Sequence, residues 1–377
     1  MERNKTASIE VKRVNKRKVF SYICQQKETS RQEISNALNM SMPTVLQNVR
    51  ELQESGYVQE MGQYGSTGGR KATIITSRPS AKLAIGMEIT RNHIGLVLIN
   101  LVGEILANKR IRLPFVQREA YYAKLGELVR ELVADQDNLE ERLAGVGISI
   151  PGILDEKKKI ITYSHALGIR DLHCSVLAQY IPWPTCFLND ANAAGLAELH
   201  CMDPESTMVY LSLSNSVGGA VFIDGVLYEG KNQRSGEFGH MRLFPDGKEC
   251  YCGQHGCLDA YCSALVPASA CDGNLARFFQ MLQEGKSDLA AKWNQYLKHL
   301  AVAVINLRMA FDCNVVLGGY VGGYLEPYLS ELRCMVGALD TFGSQDGVSY
   351  LRICNYKQEA SAFGAALQPL ERFINQL

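Results

Sequence analysis

The chain has 377 residues, of which 46% are hydrophobic and 21% charged; this excludes low-complexity disorder and collagen-like repeats and leaves length for two or three domains. Its 39 Lys and Arg balance 39 Asp and Glu, so the total carries no signal for nucleic acid or an anionic membrane. The balance hides an asymmetry: residues 1–80 hold 13 basic against 7 acidic side chains, a net of +6, and residues 81–377 hold 26 against 32. A basic leading segment on an acidic body is the pattern of a nucleic-acid-binding module joined to a separate domain.

Met1-Glu2-Arg3-Asn4-Lys5 leads into no apolar run, so no secretory signal is expected. No apolar stretch approaches the length of a membrane span. The 12 cysteines are scattered through a long chain, which favours reduced thiols and a cytoplasmic location.

Three helices and a hairpin are predicted in the first eighty residues. The first runs from about Lys12 to Gln26, with Val14, Val19, Tyr22 and Ile23 on one face. Ser30 and Glu33 have capping-box spacing and open the second. After a short turn, Ser41 is a good N-cap for the third, Pro43 is tolerated in its first turn, and Val45, Val49 and Leu52 form its buried stripe. Two short helices and a tight turn predict a helix-turn-helix, with Ser41, Thr44, Gln47 and Asn48 toward the DNA and the amides suited to adenine. Strands from Tyr57-Val58 and over Ala72–Thr76, joined by a glycine-rich tip at 62–69, predict a wing that offers Arg70 and Lys71 to phosphates or a minor groove.

From Lys82 apolar strands alternate with helices. Strands at Leu83–Thr90, Gly95–Leu101 and Glu104–Ile111, a helix at Tyr121–Asp135 and a strand at Ala144–Ile150 recur in outline after Asp190. The second round comprises Met208–Leu213, Ala220–Ile223, a helix around 289–311 and Val315–Leu317. Such duplication predicts two similar α/β lobes around a ligand cleft.

His240, Cys250, Cys252 and Cys257 supply an imidazole and three thiolates within one short stretch, the donor set of a closed structural Zn²⁺ site. With Leu188-Asn189-Asp190-Ala191-Asn192-Ala193-Ala194, Gly236-Glu237-Phe238-Gly239-His240 and the run from Cys250 to Asp259, the chain resembles the ROK family of repressors, open reading frames and sugar kinases. The head, with Ser41 to Val45 and Ser66-Thr67-Gly68-Gly69-Arg70, is similar to the family's transcriptional regulators, including its xylose-responsive repressors.

The resemblance implies a winged helix-turn-helix over residues 1–80, followed by a two-lobed actin-like sugar-kinase fold over 81–377. Lobe one would span about 81–189 plus a C-terminal helix at about 358–377, and lobe two about 190–357. It implies a sugar site of His165, Asn189, Asp190, Glu237, His240 and Asp259, with Asp190 at the place of the kinase base. Asp259 stands where the family commonly has Glu, and His165 where it usually has Asn. The family's glycine-bearing phosphate loops are replaced by Glu88-Ile89-Thr90-Arg91-Asn92 and Ser214-Asn215-Ser216. Phosphates need closely approaching backbone amides, which those side chains obstruct. The expectation is therefore a sugar-controlled repressor without enzymatic activity, binding operator DNA as a homodimer or a pair of dimers, with no membrane partner. A sugar kinase carrying a DNA-binding head is the alternative.

Overall fold

Capping side chains set out the first helices. The computed structural model describes residues 2–63, 72–203, 205–343, 347–357 and 359–377. Its head holds α1 (Glu2–Gln26), α2 (Arg31–Ala37), α3 (Met42–Glu54), β1 (Val58–Gln63) and β2 (Thr73–Ser77). Ser30 Oγ accepts from the Glu33 amide at 3.3 Å while the Glu33 carboxylate accepts from the Ser30 amide at 2.7 Å, so the capping box is complete. Ser41 accepts from the Thr44 amide at 3.4 Å and opens α3. α1 starts at Glu2, well before the expected Lys12. β1 and β2 pair antiparallel as a wing. Its expected tip, with Arg70 and Lys71, lies outside the described residues.

The body continues with β3 (Leu83–Ile89), β4 (His93–Asn100), β5 (Ile105–Arg112), α4 (Glu119–Leu132), α5 (Leu139–Arg142) and β6 (Leu143–Ile150). A small antiparallel sheet follows, β7 (Ile153–Asp155), β8 (Ile160–Ser164) and β9 (Ile169–His173), then α6 (Cys174–Ala178), β10 (Thr185–Asn189) and α7 (Asp190–His200). The second half holds β11 (Met208–Leu213), β12 (Val217–Ile223), β13 (Val226–Leu227), α8 (Asp259–Cys262), α9 (Leu265–Ala268) and α10 (Leu275–Gln283). It ends with α11 (Ser287–Phe311), β14 (Asn314–Gly318), α12 (Gly319–Gly322), α13 (Leu329–Leu339), β15 (Leu351–Ile353) and α14 (Ala360–Gln376).

The main sheets are ordered β10-β6-β3-β4-β5 and β13-β12-β11-β14-β15. In each, an antiparallel meander is extended by two parallel strands, so the expected duplication is a duplication of topology. α4 covers the outer face of the first sheet through Tyr121, Leu125 and Val129. α11 covers that of the second through Trp293, Leu297, Leu300 and Val304.

Between the sheets lie α14, on the first, and α7, on the second, packed against each other. The contacts are backbone-close: a Cβ on Gly147 of β6 would stand 1.8 Å from Ala365 O, and one on Gly364 would stand 1.7 Å from Ala193 O. Only glycine admits this approach.

The head shares its core with the body. Val19, Phe20, Ile23, Ile34, Val45, Val49, Leu52 and Ile75 form one buried apolar cluster with Ala84, Val97, Ile99 and Phe363. The Tyr57 ring meets Phe373 of α14 edge-on at 5.1 Å, Lys82 Nζ lies 5.0 Å over the Phe373 ring, and Arg17 donates to Asn375 Oδ1 at 3.0 Å. The end of α14 is thus the seat of the head.

Candidate binding cleft and metal centre

Asn189 ends β10 and caps α7. Its Oδ1 accepts from the amides of Ala191 at 2.9 Å and Asn192 at 3.1 Å, and its Nδ2 donates to Gly152 O at 2.9 Å. These bonds fix the strand-to-helix turn that carries Asp190 into the cleft. Asp190 accepts from the Ala191 amide at 3.0 Å. Burial, reinforced by the carboxylates of Glu88 and Glu237, pushes its carboxyl up to about 6.

Asn189, Asp190, Glu237, His240 and His165 line one cavity of about 500 Å³ between the lobes. Burial raises the Glu237 carboxyl, and His240 and Arg234 pull it back down. A pocket lined by carboxylate acceptors and by the donors of Arg234 and Gln233 suits a small polyhydroxylated ligand.

Asp259 is not among these residues. Its Oδ1 accepts from the Val217 amide at 2.6 Å, its side chain is buried, and it faces an adjoining cavity of about 820 Å³. As the shorter acid, it is held back against the β12 backbone. The adjoining cavity is lined by residues of two turns, Thr90 and Arg91 in one and Ser214, Asn215 and Ser216 in the other. In the first, Thr90 closes on His93 through two hydrogen bonds of 2.9 and 3.0 Å. Glu88 and Arg110 form a largely buried ion pair of 3.3 Å beside it. In the second, Gly319, where φ is +75°, passes so close that a Cβ there would lie 2.7 Å from Ser214 Oγ.

The four metal-site residues converge. One ligand atom from each of His240, Cys250, Cys252 and Cys257 lies within 4.8 Å of all the others. His240 Nδ1 is buried with no hydrogen-bond partner among the described residues. Its Nε2 instead faces the Tyr251 hydroxyl at 3.3 Å and Glu237 at 4.0 Å. A buried imidazole nitrogen without a partner, on a residue that converges with three thiols, is the donor set of a tetrahedral ion, and the residues present fit one.

Tyr251 is a cleft residue that the spacing argument overlooks. Its ring stacks on His165 at 4.5 Å with 21° between planes and walls both cavities. The signal was positional: a residue between two ligands of a tight loop must project its side chain away from the metal.

In the head, Thr44 Oγ1 lies 2.9 Å from Ser41 Oγ, and Gln47 donates to Glu51 at 3.1 Å; both pairs are exposed. Asn48 departs from expectation. It is buried, and its Nδ2 donates to Thr44 O at 2.8 Å, so it faces the head's core.

A winged helix-turn-helix seated on a two-lobed α/β body defines the class, a DNA-binding head on a sugar-kinase-like domain. The ROK family model matches residues 84–370 and a winged helix-turn-helix DNA-binding model matches residues 13–59. The chain belongs to the ROK family. It is 28% identical over 256 residues to the xylose repressor of Bacillus spizizenii, covering 67% of this chain and 66% of that protein. It is 25% identical over 347 residues to the xylose repressor of Caldicellulosiruptor bescii, covering 86% of this chain and 87% of that protein. The DNA-binding transcriptional dual regulator NagC of Escherichia coli is 28% identical over 254 residues, 66% of this chain and 62% of that protein. The chain thus spans about two thirds of the length of the Bacillus and Escherichia relatives.

Among solved structures, a ROK family transcriptional regulator described as a homolog of E. coli MLC protein superposes with a TM-score of 0.76 at 20% identity, covering 97% of this chain and 98% of that one. The ROK hexokinase from Thermus thermophilus superposes at 0.61 with 26% identity over 77% of this chain and 99% of its own. No helix among the described residues is long and apolar enough to cross a membrane.

Proposed function

We propose that this chain is a sugar-responsive transcriptional repressor whose operator binding is controlled by a sugar held in a kinase-like cleft that no longer transfers phosphate. The observation that carries the reading is one cavity on which Asn189, Asp190, Glu237, His240 and His165 converge, in a chain that also bears a helix-turn-helix. The names of its relatives, two xylose repressors and a DNA-binding transcriptional dual regulator, support it. Residues 1–80 form the reader and 81–377 the sensor, with lobes at about 81–189 plus 358–377 and at about 190–357. Ser41, Thr44, Gln47, Arg70 and Lys71 face the operator; Asn48 is withdrawn from that set. The chain acts in the cytoplasm as a homodimer, because paired recognition helices must meet two half-sites.

Asp190 and Glu237 accept hydrogen bonds from sugar hydroxyls, and His240 Nε2 stands beside them. Asp190 keeps the position of a general base, but the donor half of the cleft lacks what phosphoryl transfer requires, namely closely approaching amides and charge neutralisation. The turn at Thr90-Arg91-Asn92 has no glycine, and Arg110 is engaged by Glu88. The metal is Zn²⁺, held by His240, Cys250, Cys252 and Cys257, and when bound it supplies a structural cross-link. α14 couples the two halves: Ser361 near its start donates to Asp190 O at 3.1 Å, and Phe373 near its end holds Tyr57 of the head. A sugar that favours the closed lobes therefore biases the seat of the head.

The test is a thermal-shift screen of the full chain against pentoses, hexoses and N-acetylhexosamines, followed by gel shifts with selected DNA and an ATP-consumption assay. A stabilising sugar that changes DNA affinity without consuming ATP is the expected outcome. ATP turnover abolished by Asp190→Asn would replace the reading with the kinase, and silence across all sugars would remove the sensor.

A further inference from the structure

The first two turns of α3 hold an arrangement that hydrogen-bond readout of DNA does not explain. Most of the polar side chains there are engaged within the chain: Thr44 with Ser41 at 2.9 Å, Gln47 with Glu51 at 3.1 Å, Arg50 with Glu54 at 2.8 Å, and Asn48 inward on Thr44 O at 2.8 Å. Leu46 and Met42 are one turn apart on the same face, 47% and 36% exposed, and belong to no apolar cluster of the head. Single exposed leucines are ordinary. Two apolar side chains side by side on the outward face of a recognition helix, in a head of net +6, are aligned for a partner that is anionic outside and carries methyl groups within.

B-form DNA is such a partner. In its major groove the C5 methyl of thymine is the apolar feature that distinguishes base pairs. We infer that Leu46, flanked by Met42, reads thymine methyl groups of the operator, so that specificity at one position of each half-site is apolar. This rests on the DNA-binding reading above. It goes further by naming the base and the side chain. Gln47 and Thr44 serve neighbouring positions once their intramolecular partners exchange, and Arg50, whose ion pair is exposed, is free to turn to phosphate.

The experiment selects preferred duplexes from a random pool with the full-length chain, then replaces each thymine singly by deoxyuracil, which lacks only the methyl. Wild type should lose roughly three- to fivefold in affinity at one or two thymines per half-site, the worth of one buried methyl. Leu46→Ala should bind thymine and uracil equally at one of those positions, and Leu46→Met should restore the preference. A Leu46→Ala ratio equal to wild type, or wild type indifferent to uracil throughout, overturns the inference. Failure to enrich any sequence overturns the DNA-binding reading itself, a result distinguishable from either.

Discussion

In the first sheet the meander β3–β4–β5 is extended by β6 and β10; in the second, β11–β12–β13 is extended by β14 and β15 in the same sense. The inner faces of these matching sheets are closed differently. α14 lies on β3 and β6 through Gly86 and Gly147, backbone against backbone. α7 meets the second sheet through side chains: a Cβ on Gly195 would lie 2.7 Å from the Phe222 ring and 3.0 Å from Ala220 Cβ. The second lobe also carries the loop that gathers His240, Cys250, Cys252 and Cys257, a cluster with no counterpart among the described residues of the first. One topology thus yields a lobe closed backbone-to-backbone by the helix that also seats the head, and a lobe whose edge carries a His-Cys cluster able to hold a metal ion. The contrast sets side-chain packing beneath α7 against backbone packing beneath α14.

The strongest way to break that contrast is to put a side chain beneath α14. Gly147→Val has no flexible neighbour to displace, since the obstruction is the Ala365 backbone. It should cost about 4 kcal/mol or more, beyond ordinary overpacking, and release the head with the lobe. Gly195→Ala presses on a ring that can turn and should cost about 1 kcal/mol. Urea midpoints of the two variants, with trypsin sensitivity of residues 11–63 as a second readout, decide this. Equal losses would mean that the lobes are closed alike.

Cys250→Ser acts on the other side of the comparison. Replacing a ligand should weaken metal affinity at least roughly a hundredfold, about 3 kcal/mol at fixed metal concentration. Metal content by mass spectrometry should fall. Hydrogen exchange should rise over residues 240–262 and in α11 while β3, β4 and β6 keep their protection. Full metal content, or loss spread evenly over both sheets, would contradict a metal dependence confined to the second lobe.

Much of this was readable from local spacing. The Ser30–Glu33 box, the Ser41 cap, the doubled run of strands and the His-Cys quartet are all short-range patterns, and short-range patterns survive translation into structure. What escaped was, apart from Asn48, set by distant partners. Asn48 lies three residues after Val45 and four before Leu52, inside the buried stripe, so periodicity already argued for the core; its amide drew it toward adenine instead. Asp259 is engaged by the Val217 amide far away in the chain. The β7–β9 sheet is too short for a periodic signal. Likewise, nothing near Tyr57 or Phe373 announces that the two rings meet at the edge of the core that head and body share. The division near residue 80 described charge correctly and packing incompletely.

The smallest effect tests the point where the lobes meet. Asp190 ends the first sheet's contribution and begins α7, and its carboxyl is pushed up to about 6 by burial, by Glu88 from β3 and by Glu237 from the second half. In the unfolded chain it returns to an ordinary value near 3.8. Above pH 6 the folded protein therefore holds a charge that its surroundings oppose. As pH falls from 6 toward 4 the folded state takes up the proton first, and the opposition fades. Asp190→Asn should accordingly stabilise the sugar-free protein at pH 7.5, by about 1–2 kcal/mol and below a ceiling of about 3 kcal/mol, since the group opens on the cleft. The gain should shrink steadily between pH 6 and pH 4. Denaturation midpoints at several pH values measure it. A gain that does not change with pH would mean that Asp190 is held by neutral contacts within one lobe, and that the cleft is not where the two sheets oppose each other's charge.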